Sequence, residues 1–203
     1  MKLRYSPTSP YVRKVTVLAI ESGLDGRIER VPTDTADPTD DLPRVNPLGK
    51  VPALITDNGK ALYDSPVICE YLDSLHGGAK VFPPSGEARW LALRLQAEGD
   101  GILDAALLAM IETKRRPQEL RWDGWVQRQM DKIARSLDSL EKEAAVLEGP
   151  LTIGNITVGC ALGYLDLRFA DLGWRKTRPT LAAWFEKISQ RPSFQATVPK
   201  DPA

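Results

Sequence analysis

Asn46-Pro47-Leu48-Gly49-Lys50-Val51-Pro52-Ala53-Leu54, followed by Tyr63-Asp64-Ser65-Pro66, carries the strongest structural signals in the sequence. The first segment reads as a loop that turns sharply into a short apolar strand. The second reads as a strand ending at a helix N-cap, with Ser65 as the capping residue. Between them, Asp57-Asn58-Gly59-Lys60 carries Asn-Gly, the strongest short hairpin signal. A loop, a Val-Pro peptide, a β-hairpin and a helix N-terminus therefore converge on one point. Such a point offers backbone hydrogen-bonding groups and the positive end of a helix to a small, extended, anionic ligand.

Around this point strand and helix signals alternate. Lys2 to Tyr5 predicts a short strand, and Pro10 to Glu21 a helix with Val12, Val15, Leu18 and Ala19 at helical spacing, closed by Gly23. Arg27 to Pro32 predicts a second strand. The polar, proline-broken run from Thr33 to Val45 predicts a loop with at most a short helix. The hairpin follows as Ala53 to Thr56 and Lys60 to Tyr63, then a helix from Pro66 to Leu75. Periodicity alone gives an α/β or α+β unit here.

Gly77 to Gly86, rich in Gly and Pro, reads as a linker, and beyond it strand signals stop. Leu91, Leu95, Ile102, Ala106 and Met110 mark one face of a helix spanning Glu87 to Arg116. A second face repeats through Trp122, Val126, Met130, Ile133, Leu137 and Leu140, and Thr157 to Leu172 and Pro179 to Arg191 predict two more helices. The short connections imply an all-α bundle. The tryptophans at helical spacing read as core, with Trp122 a candidate wall for a substrate pocket.

Lys plus Arg equals Asp plus Glu at 27 each, which removes any global electrostatic case for nucleic acid or an anionic membrane. No apolar run reaches the roughly 18 residues of a spanning helix, and Met1-Lys2-Leu3-Arg4 lacks the apolar core of a signal peptide. Cys69 and Cys160 fall in helical patterns where buried free thiols are common. A reducing, cytoplasmic location is expected, so the Asn155-Ile156-Thr157 sequon is discounted. His76, the only histidine, has too few partners for a metal site, and none is expected. Its place at a helix end, like that of Lys114-Arg115-Arg116, suits the helix dipole.

The Val-Pro and Asp-Ser motifs, in this order and spacing, resemble the glutathione-binding half of the soluble glutathione S-transferases. The N-terminal strand running into Ser6-Pro7-Thr8-Ser9-Pro10-Tyr11-Val12-Arg13-Lys14 is similar to the bacterial branch with Ser-Pro or Cys-Pro at this place. The resemblance implies a thioredoxin-like α/β domain over residues 1–78 that binds glutathione, and an all-helical domain over 87–203 that completes a pocket for a small electrophile. It also implies glutathione as co-substrate, attack on an electrophilic carbon or reduction of a hydroperoxide, and a twofold homodimer.

Residue by residue, Ser9 before Pro10 is a natural N-cap, and the resemblance makes it the hydroxyl that faces the glutathione sulfur. Tyr5, Ser6 and Thr8 are rival hydroxyls ranked behind it. With no cysteine at Ser9, disulfide exchange through this residue is not expected. Sequence alone favours a trans Val51–Pro52 bond. The resemblance implies cis, with the Val51 backbone pairing the cysteinyl backbone of glutathione. It gives Ser65 the γ-glutamyl carboxylate, Asp64 the ligand's amino end and Lys50 the glycine carboxylate. Asp100 and Asp104, in a helix interrupted by Gly99 and Gly101, are candidates to reach the amine from a second subunit. The family's helical-domain cap, Ser or Thr with Asp three residues on, is expected at Thr157, where Cys160 leaves only half a box, with Ile156 and Ala161 as a weak staple. The alternative is a non-catalytic glutathione-binding or protein-interaction module of the same fold. A disulfide reductase would require Cys69 or Cys160 to be exposed.

Overall fold

A computed structural model describes residues 1–199. The chain forms two compact units: Met1–Pro84 with the segment that begins at Pro192, and Ser85–Arg191. The sequence places the last segment with the helical domain, whereas its packing groups it with the first unit.

In the first unit, β1 (Lys2–Tyr5) leads to α1 (Pro10–Glu21), β2 (Glu29–Pro32) and a single turn, α2 (Leu42–Val45). Then come β3 (Ala53–Ile55), β4 (Ala61–Leu62) and α3 (Ser65–Ser74). The sheet order is β2-β1-β3-β4. β1 pairs parallel with β2 (Leu3 opposite Arg30) and antiparallel with β3 (Arg4 opposite Ala53), and β3 pairs antiparallel with β4 (Leu54 opposite Leu62). A parallel β-α-β followed by a β-β-α hairpin unit is the thioredoxin-like layout. Gly59 (φ +80°) makes the Asn-Gly turn, and Thr56 closes it by bonding across to Lys60. Leu3, Val15, Leu18, Leu54, Ile68 and Leu72 fill the core.

The second unit is helical: α4 (Gly86–Met110), α5 (Asp123–Lys142), α6 (Ile153–Arg168), α7 (Trp174–Thr177) and α8 (Pro179–Ser189). The long predicted helix to Arg116 ends earlier as α, and Ile111–Arg115 continue as a π turn. α6 is central, with every residue from Ile153 to Leu165 buried, and its main neighbour is α4. The last short helix, α9 (Pro192–Ala196), belongs to the first unit and packs on α1. Among the described residues, no helix is long and apolar enough to cross a membrane.

Three expectations need correction here. The helical-domain cap is not at Thr157: α6 begins at Ile153, and Thr152 caps it in a complete box with Asn155. Thr157 is fully buried inside the helix, and its hydroxyl donates to the Ile153 carbonyl at 2.8 Å. Ser65 is not the N-cap of α3. Asp64 occupies that position and Ser65 is the first helical residue, because Pro66 tolerates a place in the first turn where its missing N–H is not needed. Finally, the tryptophans are not uniformly core: Trp174 and Trp184 are buried, but Trp90 and Trp122 are 63% and 58% exposed.

The interrupting glycines have different causes. A Cβ on Gly99 would sit 2.9 Å from Thr157 Cγ2 and 3.0 Å from the α6 backbone, so close helix packing demands the glycine. A Cβ on Gly154 would lie 2.6 Å from Leu95 Cβ and 2.9 Å from the Ala92 carbonyl oxygen. Gly101, by contrast, is exposed and has nothing within 4 Å of the same position. Gly101→Ala is therefore expected to stabilise the helical unit by about 0.5–1 kcal/mol through helix propensity. Gly154→Ala is expected to destabilise it, because overpacking of about 1–3 kcal/mol outweighs the same propensity gain. Opposite shifts in thermal midpoint would check the pair; a midpoint that rises for Gly154→Ala would refute the close-packing account.

Candidate functional site

The strand register gathers the candidate residues at one end of the sheet. β1 runs toward Tyr5, and its partner β3 runs the opposite way from Ala53, so the loop leaving β1 and the chain arriving at β3 lie at the same edge. β4 is antiparallel to β3, so it delivers Tyr63 and Asp64 to that edge as well. Topology alone thus brings the Ser6–Ser9 loop, the Val51–Pro52 peptide and the start of α3 to one end.

Ser9 is half-buried and caps α1. Its Oγ accepts the Val12 N–H at 3.3 Å, its own N–H donates to the Ser6 carbonyl at 3.1 Å, and its carbonyl accepts the Arg13 N–H at 3.0 Å. As a cap the hydroxyl is used only as an acceptor, and its proton donates to no partner among the described residues. A hydroxyl donor at a helix N-terminus is a suitable setting for an anion. Of the rival hydroxyls, Ser6 and Thr8 lie 3.5 Å from each other, and Tyr5 carries the Arg30 guanidinium 5.9 Å from its ring centroid.

The Val51–Pro52 bond is cis. β3 begins only at Ala53, so the Val51 peptide stands outside the ladder; its N–H and C=O make no backbone hydrogen bond among the described residues and can pair with an extended ligand. Asn46 builds the loop before it. This residue is 1% exposed; its Nδ2 donates to the Lys50 carbonyl at 2.8 Å, its Oδ1 accepts the Leu48 N–H at 3.0 Å, and its carbonyl accepts the Gly49 N–H at 2.8 Å. Gly49 supplies the left-handed turn (φ +61°). Asn46 opens the quoted motif, yet its organising role was missed. The available signal was an Asn at the start of a turn, where its side chain can accept the N–H two residues on and mimic backbone. Lys50 itself is exposed.

At the start of α3, Ser65 is 1% exposed and Asp64 is exposed, and neither side chain caps the helix. The Asp64 carbonyl accepts the Ile68 N–H at 3.0 Å, while the first-turn N–H groups have no intrahelical partner. A buried hydroxyl, open N–H groups and an adjacent exposed carboxylate thus stand together, fitting a ligand group that carries both an amine and a carboxylate.

Arg4 is a second residue whose part the sequence did not disclose. Buried in β1, it donates from Nε to Thr33 Oγ1 at 2.8 Å and ion-pairs with Asp40 and Asp41, which pins the 33–41 loop to the sheet. The hydrogen bond from Arg4, with its charge, holds the Asp41 carboxyl below the ordinary carboxylate range. His76 bonds Asp73, whose carboxylate also accepts the Val81 and Phe82 N–H groups and so ties down the chain after α3. Asp100 is half-buried and Asp104 exposed on α4, in the other unit. Cys69 and Cys160 are both fully buried.

Known proteins match both units. Residues 8–75 fit the N-terminal domain of glutathione S-transferase and residues 123–187 its C-terminal domain. An uncharacterised GST-like protein of Escherichia coli K12, YibF, is 35% identical over 202 residues, covering 98% of each chain. Glutathione S-transferase 3 of Zea mays is 29% identical over 207 residues, covering 98% of this chain and 93% of its own. Among solved structures, a glutathione transferase family member from Pseudomonas fluorescens Pf-5, with bound glutathione, superposes with a TM-score of 0.95 at 48% identity, covering 98% of this chain and 99% of that one. With both domains matched and relatives aligned from end to end, the chain belongs to the glutathione S-transferase family.

Proposed function

We propose that this protein is a glutathione transferase of the bacterial Ser-Pro branch, with glutathione as co-substrate, and that Ser9 stabilises the thiolate for attack on a small hydrophobic electrophile or a hydroperoxide. The observation that carries this reading is the sheet end where the unpaired Ser9 hydroxyl proton, the free Val51 peptide and the open start of α3 meet. The glutathione held by the Pseudomonas fluorescens relative supports it.

In this reading residues 1–78 hold the tripeptide, and 87–203 supply most of the electrophile pocket. The Val51 N–H and C=O pair with the cysteinyl backbone beside Pro52, and Ser65 and the first-turn N–H groups of α3 take the γ-glutamyl carboxylate. Asp64 takes the amino group and Lys50 the glycine carboxylate. Positioning of this kind contributes several kcal/mol to a barrier without a strong acid or base. Asp100 and Asp104 act across a homodimer, and the enzyme works in the cytoplasm. None of these roles requires a metal.

The deciding experiment is a pH titration of thiolate absorbance for glutathione bound to the protein. Ionisation well below the free-thiol value near 8.5 would establish binding and activation together. Binding without that shift would favour the non-catalytic module, and absence of binding would end the proposal. The Asn46 scaffold gives a second test. Asn46→Ala removes two side-chain hydrogen bonds that order the loop around Lys50 and Val51, and glutathione affinity is expected to fall by about tenfold, from the loss of roughly 1–2 kcal/mol of net hydrogen bonding. Calorimetric titration with glutathione would measure it, and unchanged affinity would show that this loop does not hold the tripeptide.

A further inference from the structure

The first unit contains a cavity of about 420 Å³ that none of the residues assigned to glutathione lines. Its walls come from Val12, Arg13 and Ile20 of α1, from Tyr5 and Arg30 of the sheet, and from Thr197 after α9. The volume falls within the range of small-molecule sites, about 300–1,000 Å³.

Arg13 gives the cavity its chemistry. The residue is 8% exposed, and its acceptors among the described residues are neutral. Nε donates to Thr197 Oγ1 and Nη2 to the Phe194 carbonyl, both at 3.4 Å, while buried Nη1 finds no acceptor among the described residues. Both bonds lie beyond the usual 2.7–3.2 Å for N–H···O. A buried guanidinium served this poorly is costly, and an anionic acceptor would relieve it. The second arginine differs: Arg30 is ion-paired with Asp25. The two arginines against that one aspartate leave the lining with a formal charge of +1. Its remaining walls mix hydroxyls from Ser6, Thr16 and Thr197 with apolar side chains such as Val12, Ile20 and Val198.

We infer that this cavity is a second ligand site, distinct from the glutathione site, that takes a small organic monocarboxylate with a compact apolar body. One cation left uncompensated among the described residues matches a monoanion, and the planar fork of Arg13 matches a carboxylate bidentately. The apolar side chains of Val12, Ile20 and Val198 accept the carbon skeleton.

The test is titration calorimetry of the full chain with benzoate and with its uncharged isostere benzamide. Saturable benzoate binding is expected, with benzamide weaker by about tenfold or more. Arg13→Met should weaken benzoate to the level of benzamide. Because Arg13 is buried, Val198→Trp serves as an independent variant: Val198 is a 52% exposed part of the wall, and the larger side chain should fill the cavity and weaken benzoate without touching the core. Benzoate that does not bind saturably, binds no better than benzamide, or binds both variants like the wild type would overturn the assignment. Displacement of benzoate by glutathione would overturn it too.

Discussion

Ser9→Ala is expected to cut turnover with glutathione by about five- to twentyfold at neutral pH and to leave most of the glutathione affinity intact. The magnitude follows from the thiol. At pH 7 only a few per cent of a free thiol with a pKa near 8.5 is ionised. Lowering that pKa by about two units makes most of it thiolate, which corresponds to roughly 2.7 kcal/mol of differential interaction. A hydrogen bond to the anion together with a helix N-terminus is of that size. Alanine removes the hydroxyl and leaves the helix end in place, so part of the activation survives. The loss should also shrink as pH rises past about 9, because the free thiol then ionises unaided. Ser9 also accepts the Val12 N–H, so the variant gives up a helix cap worth about 0.5–2 kcal/mol. A thermal midpoint measured alongside separates the two roles. Ser9→Thr, which keeps cap and hydroxyl, should recover activity. Wild-type turnover in the alanine variant at pH 7 would remove Ser9 from the chemistry.

The site was legible largely because its parts are local. An Asn-Gly turn, a proline after a strand-forming valine and an acidic residue at a helix start each declare a conformation within a few residues, and strand pairing then brings them to one edge. What was not legible depends on partners distant in sequence. Arg4 reads as an ordinary strand residue until Asp40 and Asp41 close on it. Gly99 and Gly154 signal that something approaches, but only the α4–α6 crossing says what. The cis state of Val51–Pro52 has no local sequence signal, since most X-Pro bonds in folded proteins are trans. The α6 cap was missed for a different reason. The family's Ser or Thr cap was matched to Thr157 although Cys160 stands where the box needs an acidic residue, while Thr152 with Asn155 lacks the Glu or Gln side chain usual in the box.

That missed cap carries the second large expected effect. Asn155→Ala should lower the stability of the helical unit by about 2–4 kcal/mol, because one 4% exposed side chain serves two structures. Its Oδ1 accepts the Thr152 N–H at 2.8 Å and the Thr152 hydroxyl at 2.7 Å, which fixes the start of α6. Its Nδ2 donates at 2.9 Å to the Leu147 carbonyl, the same oxygen that accepts the Trp184 Nε1–H at 2.9 Å. Alanine strands the Thr152 N–H and weakens the link from the α5–α6 connection to α8. At roughly 2–4 °C per kcal/mol for a chain of this size, the thermal midpoint should fall by about 5–15 °C. Asn155→Asp discriminates between the halves. It keeps the oxygen that accepts from Thr152 but replaces the Leu147 donor with a second oxygen facing a carbonyl. If the cap alone mattered, aspartate would match wild type; if the link to Leu147 matters equally, aspartate should lose about half the alanine effect. An alanine midpoint within a degree or two of wild type would show that α6, buried along most of its length, is held by packing alone.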